Sequence, residues 1–403
     1  MTHWQDALAA RRSLGVRLTL DAVLAAHAAL GAPGRGRPVV HVVGTNGKGS
    51  TSAMVDHALR RRGRRVGLYT SPHLHRVGER IRIDGVALTD AALQPLVDDV
   101  LAVEARGLPR PLTFFEILTL AGLLACERAG VEVLVLETGL GGRLDATRVL
   151  PATVTLFTPI DLDHQAYLGE TIAAIAGEKA AVMEDGAPAF SAPQAPEAAV
   201  VLRRVADACG VPLAFVEPLP RPPIGLPGEH QRINAALALA GARAIDPAVT
   251  AEDLDGVRWP GRCERVPVGG GSAVFDAGHN PHGIRALVTW LGGQPCARRV
   301  IVFGCLADKD GAAMLQELAQ LGAPLWLVPP GPGAFEFPAD AGARRFAGPD
   351  DPALRTAIDA HLASRGELVI CGSHALVGRL RSDLLGEAAD AAELSDPVAR
   401  RRP

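Results

Sequence analysis

Short apolar runs alternate with amphipathic stretches along most of this chain, and the pattern predicts the order of its elements. The residues of Val39–Val43 are almost all β-branched and are bounded by turn residues, as is typical of a buried parallel strand. Similar runs predict strands at 66–70, 81–83, 131–137 and 154–159. Helices are predicted within residues 1–36, at Phe114–Ala129 and at 230–245. The first part of the chain is therefore predicted to be a parallel sheet with helices between its strands.

A proline-rich stretch at residues 217–229 marks a change in composition, and a second set of strand signals follows it. These signals lie at 273–276, 299–304, 324–328 and 367–372. The predicted fold class is α/β, with a P-loop-containing doubly wound parallel sheet and a smaller C-terminal Rossmann-like domain. We expect the first domain at residues 1–257, the second at 258–386, and a flexible tail at 387–403.

A glycine-rich turn follows the first strand and opens an amphipathic helix, which is the arrangement that a nucleotide phosphate site requires. Gly44 and Gly47 permit tight backbone angles and close approach to an anion. Lys48 is placed to reach the β and γ phosphates, and Ser50 or Thr51 offers a hydroxyl to Mg²⁺ or to a phosphate oxygen. The predicted phosphate-binding residues are Gly44, Thr45, Asn46, Gly47, Lys48, Gly49, Ser50 and Thr51. They favour a phosphate-handling enzyme, and the alternative is a glycine-rich turn without a ligand.

The match to the ordinary P-loop is imperfect, and the difference is informative. Counting back from Gly47 and Lys48, Val42 stands where that loop has glycine. Gly49 stands where Ser or Thr usually follows the lysine. The departure argues against a GTPase or a simple kinase, and the loop instead resembles the shorter GT-x-GK-x-[ST] loop of the amide-forming Mur-type ligases.

Composition and charge exclude several classes of protein. The 403 residues include 41 Lys and Arg against 44 Asp and Glu, so the net charge of -3 gives no reason to expect nucleic acid as a partner. No apolar run reaches the roughly 18 residues of a membrane helix, and the N-terminus lacks the apolar core of a secretory signal. The six cysteines form no C-x-x-C pair. We therefore expect a cytoplasmic protein with buried, reduced thiols and no membrane partner.

Several short motifs follow one another over nearly the whole chain. The first are GTNGKGST at 44–51, TSPHL at 70–74, ERIRIDG at 79–85, TFFE at 113–116 and LETGLGGRLDAT at 136–147. The others are DLDH at 161–164, GEKAAV at 177–182, HQRINA at 230–235, WPGR at 259–262, DAGHNPHG at 276–283 and LADKD at 306–310. Together they strongly resemble the folylpolyglutamate synthase and dihydrofolate synthase family, a branch of the Mur ligases, and the first domain then resembles the Mur ligase central domain.

The resemblance implies an ATP-dependent ligase that activates a carboxylate as an acyl phosphate and then joins it to L-glutamate through an amide. The implied substrates are dihydropteroate, reduced folates or both, and the implied state is a monomer. Phosphoryl transfer to a carboxylate brings two anions together, so Mg²⁺ and Lys48 are expected to neutralise the developing charge. The sequence does not distinguish dihydrofolate synthase from folylpolyglutamate synthase activity, because both activities use the same phosphate-binding and metal-binding residues.

Three residues at separate strand ends match the family's metal site, namely Ser71, Glu137 and His164. Glu137 ends an apolar run, where an unpaired carboxylate would be costly, so a ligand role accounts for it. The alternatives are a helix cap or a bridge to a backbone carbonyl for His164, and a simple turn residue for Ser71. By resemblance the site holds two Mg²⁺ ions, and Lys48 and His164 are catalytic.

Lys179 is the third catalytic candidate, because it resembles the position where family members carry a carbamylated lysine, N6-carboxylysine. Carbamylation needs a neutral amine, which nearby cations supply by depressing the pKa of a lysine. The resulting anion would accept hydrogen bonds from amides or bind a second metal ion. The alternative is an exposed lysine paired with Glu178 on a helix.

Four further residues are implied to hold ATP. By resemblance Asp276 and His279 contact the adenosine side, Arg262 reaches the phosphates, and Asn234 lies near the adenine. For Asn234 the alternative is a helix residue that satisfies local backbone groups.

Three other residues match positions that contact the pterin ring in dihydropteroate-binding members of the family. They are Thr113, Phe115 and Asp145. For Phe115 the alternative is a core residue, since a Phe at the start of an apolar helix is usually buried.

Two rival functions stay open. Another Mur-type amide ligase, acting on a cell-wall nucleotide precursor, would need a nucleotide-sugar-binding domain before the P-loop, and only 43 residues precede Gly44. The other rival is a non-catalytic ATP-binding protein on the same fold. Four residues count against it, namely Lys48, Glu137, His164 and Lys179.

Overall fold

The computed structural model describes residues 3–338 and 342–390, and in it the chain forms two α/β units, each built around its own sheet. The strands of the first sheet are β1 (Val39–Val43), β2 (Val66–Tyr69), β3 (Ile81–Ile83), β4 (Val86–Ala87), β5 (Val133–Glu137), β6 (Val154–Phe157), β7 (Ala189–Ser191) and β8 (Leu213–Phe215). Their spatial order is β4-β3-β2-β5-β1-β6-β7-β8. The β2–β3 and β3–β4 pairs are antiparallel, and the other pairs are parallel.

Helices cover both faces of this sheet. They are α1 (His3–Arg11), α2 (Asp21–Ala29), α3 (Lys48–Arg61), α4 (Asp90–Glu104), α5 (Phe114–Ala129), α6 (Gln165–Leu168), α7 (Ile172–Ala180), α8 (Pro196–Cys209) and α9 (Gln231–Ile245). Val39 packs with α1, α2, α4 and α5, whereas Val40 and Val42 pack on the other face with α3 and α9. Because successive residues of a strand point to opposite faces, the unbroken apolar run of β1 suits a doubly wound sheet and confirms that prediction.

The second unit is smaller. Its strands are β9 (Glu264–Val268), β10 (Gly271–Asp276), β11 (Arg299–Phe303), β12 (Leu325–Leu327), β13 (Arg344–Arg345) and β14 (Glu367–Cys371), in the spatial order β13-β12-β11-β14-β10-β9. Its helices are α10 (Pro281–Gly292), α11 (Gly311–Ala319), α12 (Pro352–Ala363) and α13 (His374–Leu385). The β9–β10 pair is antiparallel, and the rest are parallel. Across both described stretches of the chain, no helix is long and apolar enough to cross a membrane.

The carboxyl ends of the central strands position the candidate site. Strand β1 stops directly before Gly44, and β5 ends at Glu137 itself. In the register of the sheet Val42 lies opposite Glu137, and Val43 lies opposite Phe157. The glycine-rich turn, the Glu137 carboxylate and the segment after β6 therefore meet at one edge, where open α/β sheets bind their ligands.

Most of the predicted elements are confirmed, and the differences concern strand ends and short strands. The predicted strands at 66–70 and 154–159 end earlier, at Tyr69 and Phe157. The sequence analysis missed β4, β7, β8, β9 and β13, which have two to five residues each. The change of sheet falls between Ile245 and Glu264, and the boundary at 257/258 stays a prediction.

The final described residues contact the first unit. The Asp390 carboxylate accepts a hydrogen bond of 2.7 Å from the Val77 amide, and the Asp390 amide donates to the His75 carbonyl at 2.7 Å. Residues 391–403 of the predicted tail lie outside the described residues.

The six cysteines are free, and they divide into two groups. Cys126, Cys263, Cys305 and Cys371 are buried. Burial raises the pKa of both the Cys126 and the Cys305 thiol to about 12. Cys209 at the end of α8 and Cys296 in the second unit are exposed, so the expectation of buried thiols holds for four of the six.

Candidate active site

The glycine-rich turn 44–51 adopts a backbone that requires its glycines. Gly44 has a φ of 153°, and a Cβ atom there would lie 1.9 Å from the Thr158 hydroxyl oxygen. Gly47, directly before α3, has a φ of 88°, and its Cβ would lie 2.4 Å from Asn234 Oδ1. Only glycine fits both the angles and the space. Asn234, predicted to lie near the adenine, is thus in contact with the turn itself.

The amides of the turn are not all free to bind phosphate. The Thr45 and Asn46 amides donate to the Pro159 carbonyl at 3.0 and 3.2 Å. The donors left for an anion are those of the first turn of α3, which have no partner within a helix. Lys48 begins this turn, and its Nζ donates to the Thr45 carbonyl at 3.1 Å.

The two hydroxyls proposed for Mg²⁺ or phosphate lie deep in the protein. Ser50 Oγ accepts a hydrogen bond of 3.4 Å from Gln231 Nε2. Thr51 is fully buried, and its Oγ1 has no hydrogen-bond partner within the described parts of the chain.

Glu137 lies against the turn. The residue is 4% exposed, and its Oε2 accepts a hydrogen bond of 3.1 Å from the Ser71 amide. A Cβ atom on Gly49 would lie only 3.6 Å from the same oxygen. Burial raises the pKa of Glu137, while the charge of Lys48 and the Ser71 hydrogen bond oppose the rise. Two of the three predicted metal ligands, Ser71 and Glu137, are therefore neighbours beside Lys48.

Lys179 is buried, with 5% exposure, at the end of α7. Its Nζ donates a hydrogen bond of 2.6 Å to the Gly44 carbonyl. Burial, together with the charge of Lys48, lowers the pKa of Lys179 to about 7. Glu178 pairs instead with Arg143, at 3.0 Å. The alternative of an exposed lysine paired with Glu178 is therefore wrong.

His164, the third predicted metal ligand, precedes α6 with a φ of 50°, and its side chain makes no capping hydrogen bond. The His164 side chain is 37% exposed, and its partial desolvation, together with the charges of Lys309 and His279, lowers its pKa. The ring is thus neutral near pH 7 and able to coordinate a metal. Its nearest carboxylate is Asp163, with Nε2 and Oδ1 4.0 Å apart. In the part of the chain that the structure describes, no group of three or more His, Cys, Asp or Glu side chains is arranged to hold a metal ion.

A polar cluster joins the two units beside the turn. Lys309 Nζ lies 2.5 Å from Asp163 Oδ1, and Asn280 Nδ2 lies 3.3 Å from Asp163 Oδ2. The same Oδ2 is 3.5 Å from His279 Nε2. Asn280 also donates to Asn46 of the turn at 3.0 Å. Burial acts to raise the pKa of Asp163, but His164, His279 and Lys309 together hold it well below its usual value.

The sequence analysis gave no role to Asp163 or Lys309, yet one signal was available. The chain contains 41 Lys and Arg residues, and only Lys48, Lys179 and Lys309 are lysines. An ammonium group is a compact charge that can also become neutral, whereas a guanidinium stays charged. A chain that otherwise uses arginine thus keeps lysine at three positions, all next to the turn or to the polar cluster.

The Asp276 carboxylate is held by two backbone amides of the second unit. Its Oδ2 accepts from the Cys263 amide at 2.9 Å, and its Oδ1 accepts from the Gly278 amide at 2.8 Å. Arg262 Nη2 lies 3.4 Å from His374 Nε2, and the His374 ring lies 5.0 Å from the His279 ring. Arg262 and His279 face a gap between the second unit and the first. A cavity in that gap is lined by His73, Glu79, Arg82, Trp259, Arg262 and His374, among others.

The three pterin candidates group around the turn that follows Glu137. The Asp145 carboxylate accepts from the Gly139 and Leu140 amides at 3.0 and 2.9 Å. A Cβ atom on Gly139 would lie 2.5 Å from the Phe115 ring, which is half-buried against Tyr69. Thr113 caps α5 by accepting from the Glu116 amide. Phe115 and Asp145 are thus brought together at Gly139, with Thr113 at the start of the same helix as Phe115.

Comparison with known proteins adds independent information. The family model of the Mur ligase, glutamate ligase domain matches residues 261–374. The folylpolyglutamate synthase of Lacticaseibacillus casei is 33% identical over 400 residues, which cover 89% of this chain and 92% of that protein. The dihydrofolate synthase/folylpolyglutamate synthase of Bacillus subtilis is 32% identical over 382 residues, covering 84% and 86% respectively.

A similar solved structure is that of Mycobacterium tuberculosis folylpolyglutamate synthase complexed with ADP and AMPPCP. It superposes with a TM-score of 0.83 at 31% identity, covering 93% of this chain and 97% of that one. The likeness therefore extends over both units.

Proposed function

Since this chain belongs to the folylpolyglutamate synthase and dihydrofolate synthase family, we infer that it is an ATP-dependent ligase that adds L-glutamate to folates. The observation that carries this inference is the buried Glu137 carboxylate beside the phosphate turn, with Lys48 near that carboxylate and Lys179 bonded to Gly44 of the turn. A metal-assisted transfer between two anions needs this mixture of charges.

The proposed reaction has two steps. A folate carboxylate oxygen first attacks the γ phosphorus of ATP, which breaks the bond to the β-phosphate oxygen and yields an acyl phosphate and ADP. The amine of L-glutamate then attacks the acyl carbon, phosphate leaves, and the amine loses a proton. Lys48 and the first amides of α3 would hold the phosphates through both steps. Docking of the two units would exclude the water that otherwise hydrolyses the acyl phosphate.

The residues present suit Mg²⁺ in part. Glu137 supplies a carboxylate, Ser71 a hydroxyl, and His164 a neutral ring, although histidine is an unusual ligand for Mg²⁺. We propose these three residues as the metal ligands. When bound, Mg²⁺ supplies positive charge that offsets the repulsion between the γ phosphate and the attacking carboxylate.

We also propose that Lys179 is carbamylated. Its neutral amine would attack CO₂ and lose one proton, which gives an anionic carbamate. The buried position and the pKa of about 7 support this step, because a large share of the amine is neutral near physiological pH. The carbamate would then stand where the Lys179 amine donates to the Gly44 carbonyl.

The remaining assignments are proposals for the two large substrates. Asn234, Arg262, Asp276 and His279 are proposed for ATP. Thr113, Phe115 and Asp145 are proposed for the pterin, and the Phe115 ring at Gly139 supports that assignment by offering an aromatic face. We further propose a monomer in the cytoplasm, with its first domain at residues 1–257.

The discriminating experiment measures phosphate release and amide product with ATP, L-glutamate and one acceptor at a time. The acceptors are dihydropteroate, tetrahydrofolate and a UDP-muramoyl precursor. Turnover with either or both pteridines supports the proposal and separates the two activities. Turnover with the UDP-muramoyl precursor alone would identify a cell-wall ligase, and ATP binding without turnover would identify a non-catalytic protein.

A further inference from the structure

We propose that Asp163 is a positioning residue for ligation, because its carboxylate docks the second unit onto the phosphate turn. The inference rests on the proposed ligase function. Asp163 lies in the segment after β6, at the carboxyl edge of the first sheet. Its side chain accepts hydrogen bonds from Lys309 and Asn280 of the second unit and from the backbone amide of His164.

The contacts of Asp163 use both oxygens. Oδ1 accepts from Lys309 at 2.5 Å and from the amide of His164 at 2.8 Å. Oδ2 accepts from Asn280 at 3.3 Å and lies 3.5 Å from His279 Nε2. One carboxylate of the first unit thus gathers three side chains that come from two separate loops of the second.

Burial makes the Asp163–Lys309 contact specific to the docked arrangement of the two units. The side chains of Lys309 and Asp163 are 8% and 7% exposed, so neither charge is well hydrated. The next carboxylate near Lys309 is Asp308, at 3.6 Å. An ammonium group that loses its main partner in such a place cannot regain full solvation unless the units move apart. The docked arrangement and the Asp163–Lys309 pair therefore depend on each other.

The docking contact extends to the phosphate turn. Asn280 bridges Asp163 and Asn46, whose Oδ1 accepts from Asn280 Nδ2 at 3.0 Å. Asn46 Nδ2 also lies 3.1 Å from His282 Nδ1. Asn46 belongs to the turn that would hold ATP. The position of the second unit therefore directly affects the side-chain contacts of the nucleotide site.

The chemical consequence concerns water. If the second unit is misplaced after the acyl phosphate has formed, water attacks the acyl phosphate and returns the starting carboxylate and phosphate. ATP is then consumed without amide formation. A residue that positions the units will therefore change the ratio of phosphate released to amide formed, whereas a residue that only supports folding lowers both together.

The test compares Asp163→Asn, Lys309→Met and the double variant with the parent protein, under saturating ATP, glutamate and folate acceptor. Asp163→Asn keeps the shape of the side chain and removes its charge. Glu170→Gln is the matched control, because it removes one charge from an exposed side chain in the same segment. For the parent and the control we expect one phosphate per amide.

For Asp163→Asn and for Lys309→Met we expect amide formation to fall by about tenfold or more, with several phosphates released per amide. The double variant should be no worse than either single variant, because the pair acts as a unit. Parallel loss of phosphate and amide at a ratio of one, or single effects that multiply in the double variant, would overturn the proposal.

Asn280→Asp provides a second variant should Asp163→Asn fail to fold. An aspartate still caps α10 by accepting from the Gly283 amide, but it cannot donate to Asp163 or Asn46. It should also raise the phosphate-to-amide ratio, and a ratio of one in this variant would count against the proposal. If the parent protein ligates no folate, the proposed function fails; if it does and Asp163→Asn behaves like it, only the positioning role fails.

Discussion

Lys179 Nζ donates a hydrogen bond of 2.6 Å to the carbonyl oxygen of Gly44, and this bond ties the end of α7 to the first residue of the phosphate turn. Lys48, the first residue of α3, lies close enough to lower the pKa of Lys179 further. The turn therefore accepts hydrogen bonds from two lysine amines, those of Lys48 and Lys179. Lys48 begins the first turn of α3, and Lys179 is buried with a pKa of about 7.

The stability of the protein should depend on pH through Lys179. An unfolded lysine titrates near 10.4, whereas the folded pKa is about 7. Between these values the unfolded chain holds one more proton, so Lys179 makes stability rise with pH by up to about 1.4 kcal/mol per pH unit. Below about pH 7 both states are protonated, and the full penalty of a buried charge remains.

Lys179→Met should remove that contribution. Urea unfolding of the parent and of this variant, from pH 7.5 to 9.5 in CO₂-depleted buffer, measures it. We expect the variant's free energy of unfolding to rise less steeply with pH. Equal slopes would mean that Lys179 is charged in the folded protein.

Lys48→Ala should abolish ligation, because developing negative charge on the transferred phosphate is left uncompensated. Losing such a group typically costs on the order of 10²–10³-fold in rate. Arg62→Ala, an exposed cation just beyond α3, is the control and should keep its activity. Turnover and thermal unfolding are measured together, and near-parental turnover by folded Lys48→Ala would remove the phosphate site from this turn.

Glu137→Gln should lose activity that extra Mg²⁺ restores only in part, because an amide oxygen lacks the anionic charge that hard cations prefer. His164→Ala should act in the same way but less severely. The measurement is the Mg²⁺ concentration for half-maximal rate. Parental Mg²⁺ dependence in both variants would make the two residues structural.

Lys179→Ala should be nearly inactive and partly rescued by acetate or formate, since a small carboxylate can occupy the place of the proposed carbamate. The cavity left by the side chain lies beside Gly44. Chloride at equal ionic strength is the control. Full activity of Lys179→Ala without added carboxylate, in CO₂-depleted buffer, would exclude the carbamate.

His279→Ala and Asp276→Ala should differ. Both should weaken ATP binding in isothermal titration while folate binding is kept. Asp276→Ala should also lose about 1–3 kcal/mol of stability, because it leaves the Cys263 and Gly278 amides without their acceptor. Unchanged ATP affinity in both would mean that the second unit does not hold the nucleotide.

The sequence predicted the elements whose residues carry their own pattern. Strand β1 and helix α5 matched to the residue, because a five-residue apolar run and a sixteen-residue stretch with helical periodicity leave few alternatives. Strands β4 and β13 have two residues each, and so short a segment has no periodicity to detect. Their pairing depends on the neighbouring strand.

The residues of the candidate site were also predictable only in part. Motif residues such as Lys48 and Glu137 were assigned from the chain alone, and the structure brings them together at one sheet edge. The pairing of Asp163 with Lys309 joins residues that are 146 positions apart on different units. It follows from how the units dock, which no local pattern encodes.

The two exposed cysteines are natural labelling sites for measuring the relative motion of the two units. Cys209 and Cys296 are exposed, one on each unit, while the four buried thiols are shielded from reagents and those of Cys126 and Cys305 have pKa values of about 12. Because the thiolate is the reactive form, maleimide dyes at neutral pH should modify only the two exposed positions in the native state. Energy transfer between dyes on Cys209 and Cys296 would report the distance between the units during turnover, and no residue would need to be substituted.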